Sequence, residues 1–295
     1  MSLNFFKILN KTLENLKLYS VYLTLVIIIS CDKIEPPFKE QVSNTIDTAS
    51  NDFYPYKKVL LEKFTGHRCG FCPSSDEKVN ELISMYNEKL IVVNYHSGFF
   101  AEPLPPTYIA DYRTPEGDFL YNFFEVQNTP IGIVDRKKFD NSYLIEYQNW
   151  QNYINQQLST NPDILINISS NILNDNVLQV RIILKLKKQL QKVKLAVLLV
   201  EDSIISPQKD YTKPTHDILD YVHKNVFRKY LTSPLGDDIN LNNKLVNDTI
   251  IKVLSTNINQ YWMIKNCYVC SFVLHPDSLF VLQSEIKKLN KNVLN

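Results

Sequence analysis

Glycine is scarce. The 295-residue chain holds 6, and none stands in a GxGxxG or GxxxxGK[ST] spacing, so the phosphate-cradling loops of dinucleotide and nucleotide-triphosphate enzymes are excluded. Neither sign of charge is in surplus. Lys+Arg number 32 against Asp+Glu 31, which leaves no basic field for a phosphate backbone and argues against a nucleic-acid partner. No apolar run reaches the ~20 residues that a membrane-spanning helix needs. No internal repeat or low-complexity block is visible. No cofactor motif remains, and no cofactor is expected. What is present is ordinary for a globular chain: 44% hydrophobic and 21% charged residues, over a length that suits one large domain or two ordinary ones.

The first thirty or so residues are of a different kind. Lys7, Lys11 and Lys17 form a basic start, and an apolar run of about a dozen residues follows from Tyr19 to Ser30, too short for a bilayer and right for a signal peptide. The run ends Ile28-Ile29-Ser30-Cys31. A small residue followed by Cys at this point resembles a bacterial lipobox, which makes Cys31 the expected lipidation site and the membrane an expected partner through that lipid. Residues 1–30 are then the leader, and residues 31–52, with Pro36-Pro37, a polar tether.

Export decides how the cysteines are read, because an oxidising compartment pairs thiols or uses them for redox work. Four remain besides Cys31, in two C-x-x-C pairs: Cys69/Cys72 and Cys267/Cys270. Zinc ribbons separate their pairs by about 15–20 residues. These pairs lie far apart in the chain, and no metal is expected. Cys267 and Cys270 fall in a strand-like run, CYVCSFVL, where an odd separation points them to opposite faces. They read as small core hydrophobes.

The first pair has another setting. Lys57 to Phe64 (KKVLLEKF) is strand-like, Thr65-Gly66-His67-Arg68 is a tight turn, and a helix follows Cys72-Pro73 with Val79, Leu82, Ile83 and Tyr86 on one face. Asp76 and Glu77 are expected near the positive end of its dipole. A C-x-x-C at a strand-to-helix junction favours thiolate through the helix amides. Cys69 is expected to be the exposed attacker and Cys72 the resolving thiol; the alternative is a structural disulfide. Downstream, Leu90 to His96 reads as a buried strand. An irregular insert, Ser97 to Arg113, reads either as functional or as packed on the second half. Thr114-Pro115 opens a short helix, Thr129-Pro130 precedes the strand Ile131 to Asp135, and a helix is expected over Tyr143 to Leu158.

Through KKVLLEKFTGHRCGFCP and QNTPIGIVD, the chain resembles thioredoxin-like proteins over about Phe53 to Leu158. More narrowly, the lipobox, the segment Glu62 to Pro73, Tyr95-His96-Ser97-Gly98 and a β-rich second half resemble the twenty-eight-kilodalton outer-membrane-protein-related family of Bacteroidetes lipoproteins. The resemblance implies an address at the outer membrane of the cell envelope. It also implies a cis bond at Thr129-Pro130 that holds the chain beside the active disulfide. Cys69, Cys72 and Pro130 are the implied catalytic residues. Thr129 is the implied substrate-facing residue beside Pro130; Arg68 and His96 are expected at the substrate side by position, Arg68 as a cation that favours the thiolate and His96 at the carboxyl end of its strand. Two positions depart from thioredoxin. Arg68 replaces the Trp before the first cysteine. Lys63 stands six residues before Cys69, where a buried acid helps deprotonate the second thiol, with Glu62 beside it.

From Ile164 onward the period changes to two. Ile164, Ile166 and Ile168, then Leu178, Val180, Ile182, Leu184 and Leu186, then Val193, Leu195, Val197 and Leu199 alternate, which predicts antiparallel strands with one wet face. The expected architecture is an α/β thioredoxin-like domain over 53–158 followed by an antiparallel β-sandwich-like domain over 159–295. His216 and His223 have no third ligand and read as structural or surface. Two functions fit: a thiol–disulfide oxidoreductase acting on envelope protein thiols, or a non-enzymatic surface protein, adhesin or complex subunit, whose disulfide staples a loop.

Overall fold

The computed structural model describes residues 53–173 and 176–289. The leader expected over 1–30, the lipidation site Cys31 and the tether to residue 52 lie outside the described residues.

Strand β1 (Val59–Thr65) is buried at every position. It pairs in parallel with β2 (Leu90–His96) and antiparallel with β3 (Ile131–Val134). Helix α1 (Cys72–Tyr86) joins β1 to β2, and Val79, Leu82, Ile83 and Tyr86 pack inward as their spacing predicts. Because α1 begins at Cys72, Asp76 and Glu77 fall in its second turn instead of at the dipole's end. Helix α2 (Pro115–Phe123) is capped by Thr114, whose hydroxyl accepts from the Gly117 N–H at 3.0 Å. Helix α3 (Trp150–Leu158) is shorter than the apolar spacing predicts. Ile145 exchanges both backbone hydrogen bonds with Gly132, at 2.8 and 3.0 Å, so the chain before it lies along β3 and does not wind.

The second half contributes β4 (Ile164–Ile172), β5 (Val177–Leu186), β6 (Lys192–Glu201), β7 (Ile204–Lys209), β8 (Asp217–His223), β9 (Val226–Tyr230), β10 (Asp237–Asn240), β11 (Thr249–Asn257), β12 (Cys267–Leu274) and β13 (Val281–Lys288). Two of their sheets face each other across a core drawn from this half alone, as a sandwich-like arrangement requires, but the larger of the two sheets is shared with the first half. An 8-stranded sheet runs β13-β12-β6-β9-β2-β1-β3, with β10 on β6, so strands from both sides of residue 158 share it. The junction is β2 with β9, where Asn94 partners Val226. The sheet curls until its two ends meet: Val281 N–H of β13 donates to the Asp135 carbonyl just past β3 at 2.7 Å. A 3-stranded antiparallel sheet, β11-β5-β4, and a hairpin, β7-β8, complete the mixed α/β domain.

Three cores follow from this curl. Inside it, Leu60, Phe64, Val93 and Tyr95 meet Ala196, Leu198, Val200, Cys270 and Phe272. On the outer side of β1, Val59 and Leu61 pack under α1 and α3 with Trp150. On the outer side of β6 and β12, Val193, Leu195, Val197, Leu199, Cys267 and Val269 face Ile164, Ile166, Leu178, Val180 and Ile182 of the 3-stranded sheet. The expectation of one wet face holds for β5 at Gln179 but not for β6. Its run KLAVLLVE is buried from Leu195 to Glu201 because both of its faces are covered. Cys267 and Cys270 are free, buried and in different cores, as their odd spacing predicts.

A buried polar group lies inside the curl. Arg136 donates to both carboxylate oxygens of Glu62 at 2.7 Å, and Tyr95 OH donates to Glu62 at 3.0 Å. Tyr230 OH lies 2.6 Å from Tyr95 OH, and Arg136 also donates to the Pro234 carbonyl at 2.9 Å. The acid nearest the expected relay position thus faces away from α1 and is committed to an arginine.

Candidate redox site at the β1–α1 junction

The site begins where β1 ends. Gly66 allows a tight turn against the insert, since a Cβ there would collide with the Phe100 carbonyl group. Arg68 N–H donates to the Phe100 carbonyl, and Cys69 N–H to the Gly66 carbonyl, both at 3.0 Å. This turn delivers Cys69 to Cys72 at the start of α1. The two are joined in a disulfide with Cα atoms 5.4 Å apart. The Thr129–Pro130 bond is cis, and Cys69 Sγ lies 3.5 Å from the Thr129 carbonyl oxygen. Cys69, Cys72, Thr129 and Pro130 are therefore brought together.

Arg68 and His96 are placed elsewhere. The Arg68 guanidinium donates to the Glu102 carbonyl at 3.1 Å and lies 4.6 Å from the Phe99 ring centre. Its charge goes to the insert and not to a sulfur. His96, at the end of β2, is buried between Tyr112 and His223, with ring centres 5.1 and 5.6 Å away. Burial holds His96 neutral, well below the usual histidine range, and pushes His223 down to about 4. His67 joins this group, stacked on Tyr108 and also shifted down by burial.

Cys69 is not exposed as expected. It is 2% exposed, and the cause is the β7–β8 hairpin. Gln208 Nε2 donates to the Gly66 and Cys69 carbonyls at 3.2 and 3.0 Å. Lys209 N–H donates to the His67 carbonyl at 2.7 Å, and Tyr211 N–H to the Gly70 carbonyl at 2.9 Å. The Tyr211 ring lies so close that a Cβ on Gly70 would approach it to 2.5 Å. Tyr211 also meets Phe71, the second middle residue of the C-x-x-C, edge to face at 5.2 Å. The insert braces the hairpin, with Tyr108 OH on Asp217 and Tyr112 OH donating to Ser206 at 2.8 Å. Of the two readings of Ser97 to Arg113, the packed one describes its buried part. Phe99 and Ile109 remain exposed.

Beneath the disulfide a second buried ion pair appears. Lys63 is 0% exposed and is paired with Asp76 of α1. Tyr221 OH of β8 donates to the other Asp76 oxygen at 2.9 Å. Sequence spacing singled out Lys63 only as a departure. Asp76 was singled out only as a dipole partner, and nothing in the sequence singled out Tyr221 or Gln208, because their partners come from distant segments.

The sequence model of the family described as Outer membrane protein Omp28 matches residues 117–293. The chain belongs to the Omp28 family. Its address is accordingly the outer membrane of the cell envelope, as the resemblance implied. The Omp28 match begins inside α2, so Cys69 and Cys72 lie ahead of it. Among solved structures, HBP35 of Porphyromonas gingivalis is similar with a TM-score of 0.63 at 17% identity, over 83% of this chain and 80% of that one. This is a likeness of fold. A domain of the outer membrane lipoprotein Omp28 from Porphyromonas gingivalis matches at 13% identity and a TM-score of 0.31, over 44% of this chain and 90% of that one. No curated protein matches by sequence.

Proposed function

We propose that this Omp28-family protein is a thioredoxin-like thiol–disulfide oxidoreductase, held at the membrane by lipid on Cys31 and acting on cysteines of envelope proteins. No helix among the described residues is long and apolar enough to cross a membrane, so in this reading the attachment comes from the lipid. The observation that carries the reading is the approach of Cys69 Sγ to the Thr129 carbonyl, 3.5 Å. It brings a C-x-x-C at a helix start against a cis Thr-Pro loop. Cys69 attacks a client disulfide and forms a mixed disulfide, releasing one client thiolate. Cys72 then displaces the second client thiolate and re-forms the Cys69–Cys72 bond. Thr129-Pro130 offers backbone groups to the client, and Arg68 with Phe99 forms part of the rim. His96, sealed behind Tyr112, supports the site from within.

The test is trapping in cells. Cys72→Ser should accumulate mixed disulfides with envelope proteins through Cys69, and Cys69→Ser should accumulate none. A second reading, a non-enzymatic surface protein with a structural disulfide, is favoured by the cover that Gln208 and Tyr211 place over Cys69. Under it, both variants trap nothing and lose stability alike.

A further inference from the structure

The β7–β8 hairpin covers Cys69, and its two strands pair with each other and with no other strand among the described residues. It leaves and rejoins the body at two short bends. Asp202 and Ser203 lead into β7, Lys224 and Asn225 lead out of β8, and Ser203 and Asn225 take left-handed backbone with φ of +61° and +50°. Both bends are pinned, Asp202 N–H donating to the Asn266 carbonyl at 2.9 Å and Asn94 N–H to the Asn225 carbonyl at 2.8 Å. The hairpin thus hangs from two fixed points. Where it meets the body, three buried histidines from three segments surround the Tyr112 ring. His96 at the end of β2, His223 at the end of β8 and His67 from the turn after β1 have ring centres 5.1, 5.5 and 6.2 Å from it. His96 Nδ1 and His223 Nε2 have no hydrogen-bond partner among the described residues. A protonated imidazole donates from both nitrogens. Neither ring finds an acceptor at that atom, so the closed hairpin has no place for either charge.

We propose that the hairpin is an acid-released cover: proton uptake by His223 and His96 detaches it from the C-x-x-C turn and opens Cys69 to other molecules. This concerns access to the sulfur, so it goes beyond the oxidoreductase reading and holds under either function. Besides His67 and the two rings themselves, the charges that face the cluster are Lys63 from β1, Asp76 from α1 and Arg228 from β9, whose guanidinium lies 5.4 Å from the Tyr112 ring centre. The two cations resist a charge on His96. Asp76 favours one on His223, but its oxygens are already engaged by Lys63 and Tyr221. Charges on His96 and His223 would also repel each other, with ring centres 5.6 Å apart. The sign follows from linkage. Burial lowers both rings in the closed form, His223 to about 4, and water around the open hairpin restores the ordinary value of about 6.5. The open form therefore binds protons more tightly, and falling pH favours it. At pH 5 His223 alone multiplies the open fraction about 30-fold, and His96 adds to that. Asp217, the hairpin carboxylate bonded to Tyr108 and Lys209, is held below its usual range by those bonds, so it stays ionised at pH 5 and does not cause the release.

The test uses the oxidised full chain and a water-soluble phosphine. The rate of Cys69–Cys72 reduction is divided at each pH by that of a small unhindered disulfide, which removes the phosphine's own titration. In the parent the ratio should rise about 30-fold or more between pH 7.5 and pH 5. The amides of Lys209 and Tyr211, which donate to the His67 and Gly70 carbonyls, should lose hydrogen-exchange protection over the same range, while the amides of β6 keep theirs. His223→Phe keeps a ring and removes its titration, so the rise should shrink to the part that His96 supplies. The double variant His223→Phe with His96→Phe should show no rise. A flat ratio in the parent overturns the proposal. So does an equal rise in parent and double variant, or protection at Lys209 and Tyr211 that is lost only when β6 unfolds. The trapping of clients by Cys72→Ser is read separately: its failure removes the oxidoreductase reading and leaves the acid-released cover standing.

Discussion

Glu62 and Lys63 are neighbours on β1 and are both buried in ion pairs, yet their surroundings differ in kind. Glu62 points inside the curled sheet, where Arg136, Tyr95, Tyr230 and the Pro234 carbonyl share their hydrogen bonds. Lys63 points under α1, into a group that is incompletely satisfied. His96 Nδ1 and His223 Nε2 are buried there without a partner among the described residues. A closed network fixes one arrangement of the chain, whereas unpaired buried polar atoms leave a desolvation cost unmet.

The largest expected effect separates the two regions. Arg136→Met strands the Glu62 carboxylate in the interior and should cost about 3–5 kcal/mol of stability, while Glu62→Leu with Arg136→Met should recover most of it. Denaturant unfolding measures both. The chemistry of Cys69 and Cys72 in the folded fraction should not change. A shifted reduction potential in the double variant would erase the distinction between the two faces of β1.

The second effect is a pH dependence on the hairpin side. Burial depresses His223 from its ordinary value to about 4. The unfolded chain therefore binds the proton first as pH falls. The stability that His223 contributes is whole above about 6.5 and is lost as pH falls toward its folded value, by up to about 3 kcal/mol. His96 and His67 shift in the same direction. His223→Gln should flatten the fall in unfolding free energy between pH 7 and 4. An equal slope in parent and variant would show that the imidazole is already hydrated in the folded protein.

These two regions also mark what could be read from sequence. The β1–α1 junction and the opposite facing of Cys267 and Cys270 were legible because each rests on local spacing, and the Thr129–Pro130 loop through the resemblance to thioredoxin-like proteins. The closing of one sheet through β9, β6, β12 and β13 was not. Alternation names the inward residues of a strand but not which strand it joins, and Val226 of β9 meets Asn94 of β2 through a single pairing. The signal available was the unbroken run from Leu195 to Val200, which suits a strand covered on both faces better than one with a wet face. Asp76 was legible only as a dipole partner. Its role beside Lys63 depends on β8, which is more than a hundred residues downstream.

The cover over the disulfide yields a smaller effect. Tyr211→Ala removes the ring that lies over Gly70 and keeps the backbone bonds of the hairpin. Reduction of Cys69–Cys72 by a soluble phosphine should quicken severalfold, with little change in global stability, because local opening needs less free energy than unfolding. A reduction rate that tracks global unfolding in both proteins would make the hairpin a fixed wall and favour the staple reading.

The smallest effect returns to two residues on opposite sides of one strand. Cys267 packs against the 3-stranded sheet and Cys270 inside the curl. Burial pushes the Cys267 thiol up to about 12 and holds the Cys270 thiol well above its ordinary value, so neither should be alkylated in the folded protein at neutral pH. Each Cys→Ala change removes one buried sulfur and should cost roughly 1 kcal/mol, at the low end of core truncations. The sulfurs share no core, so the double variant should lose the sum, with a coupling below ~0.5 kcal/mol. Denaturant unfolding of the two single variants and the double variant closes the cycle. A larger coupling would mean that the two cores beside β12 are one, and the contrast drawn at Glu62 and Lys63 would not extend to this part of the sheet.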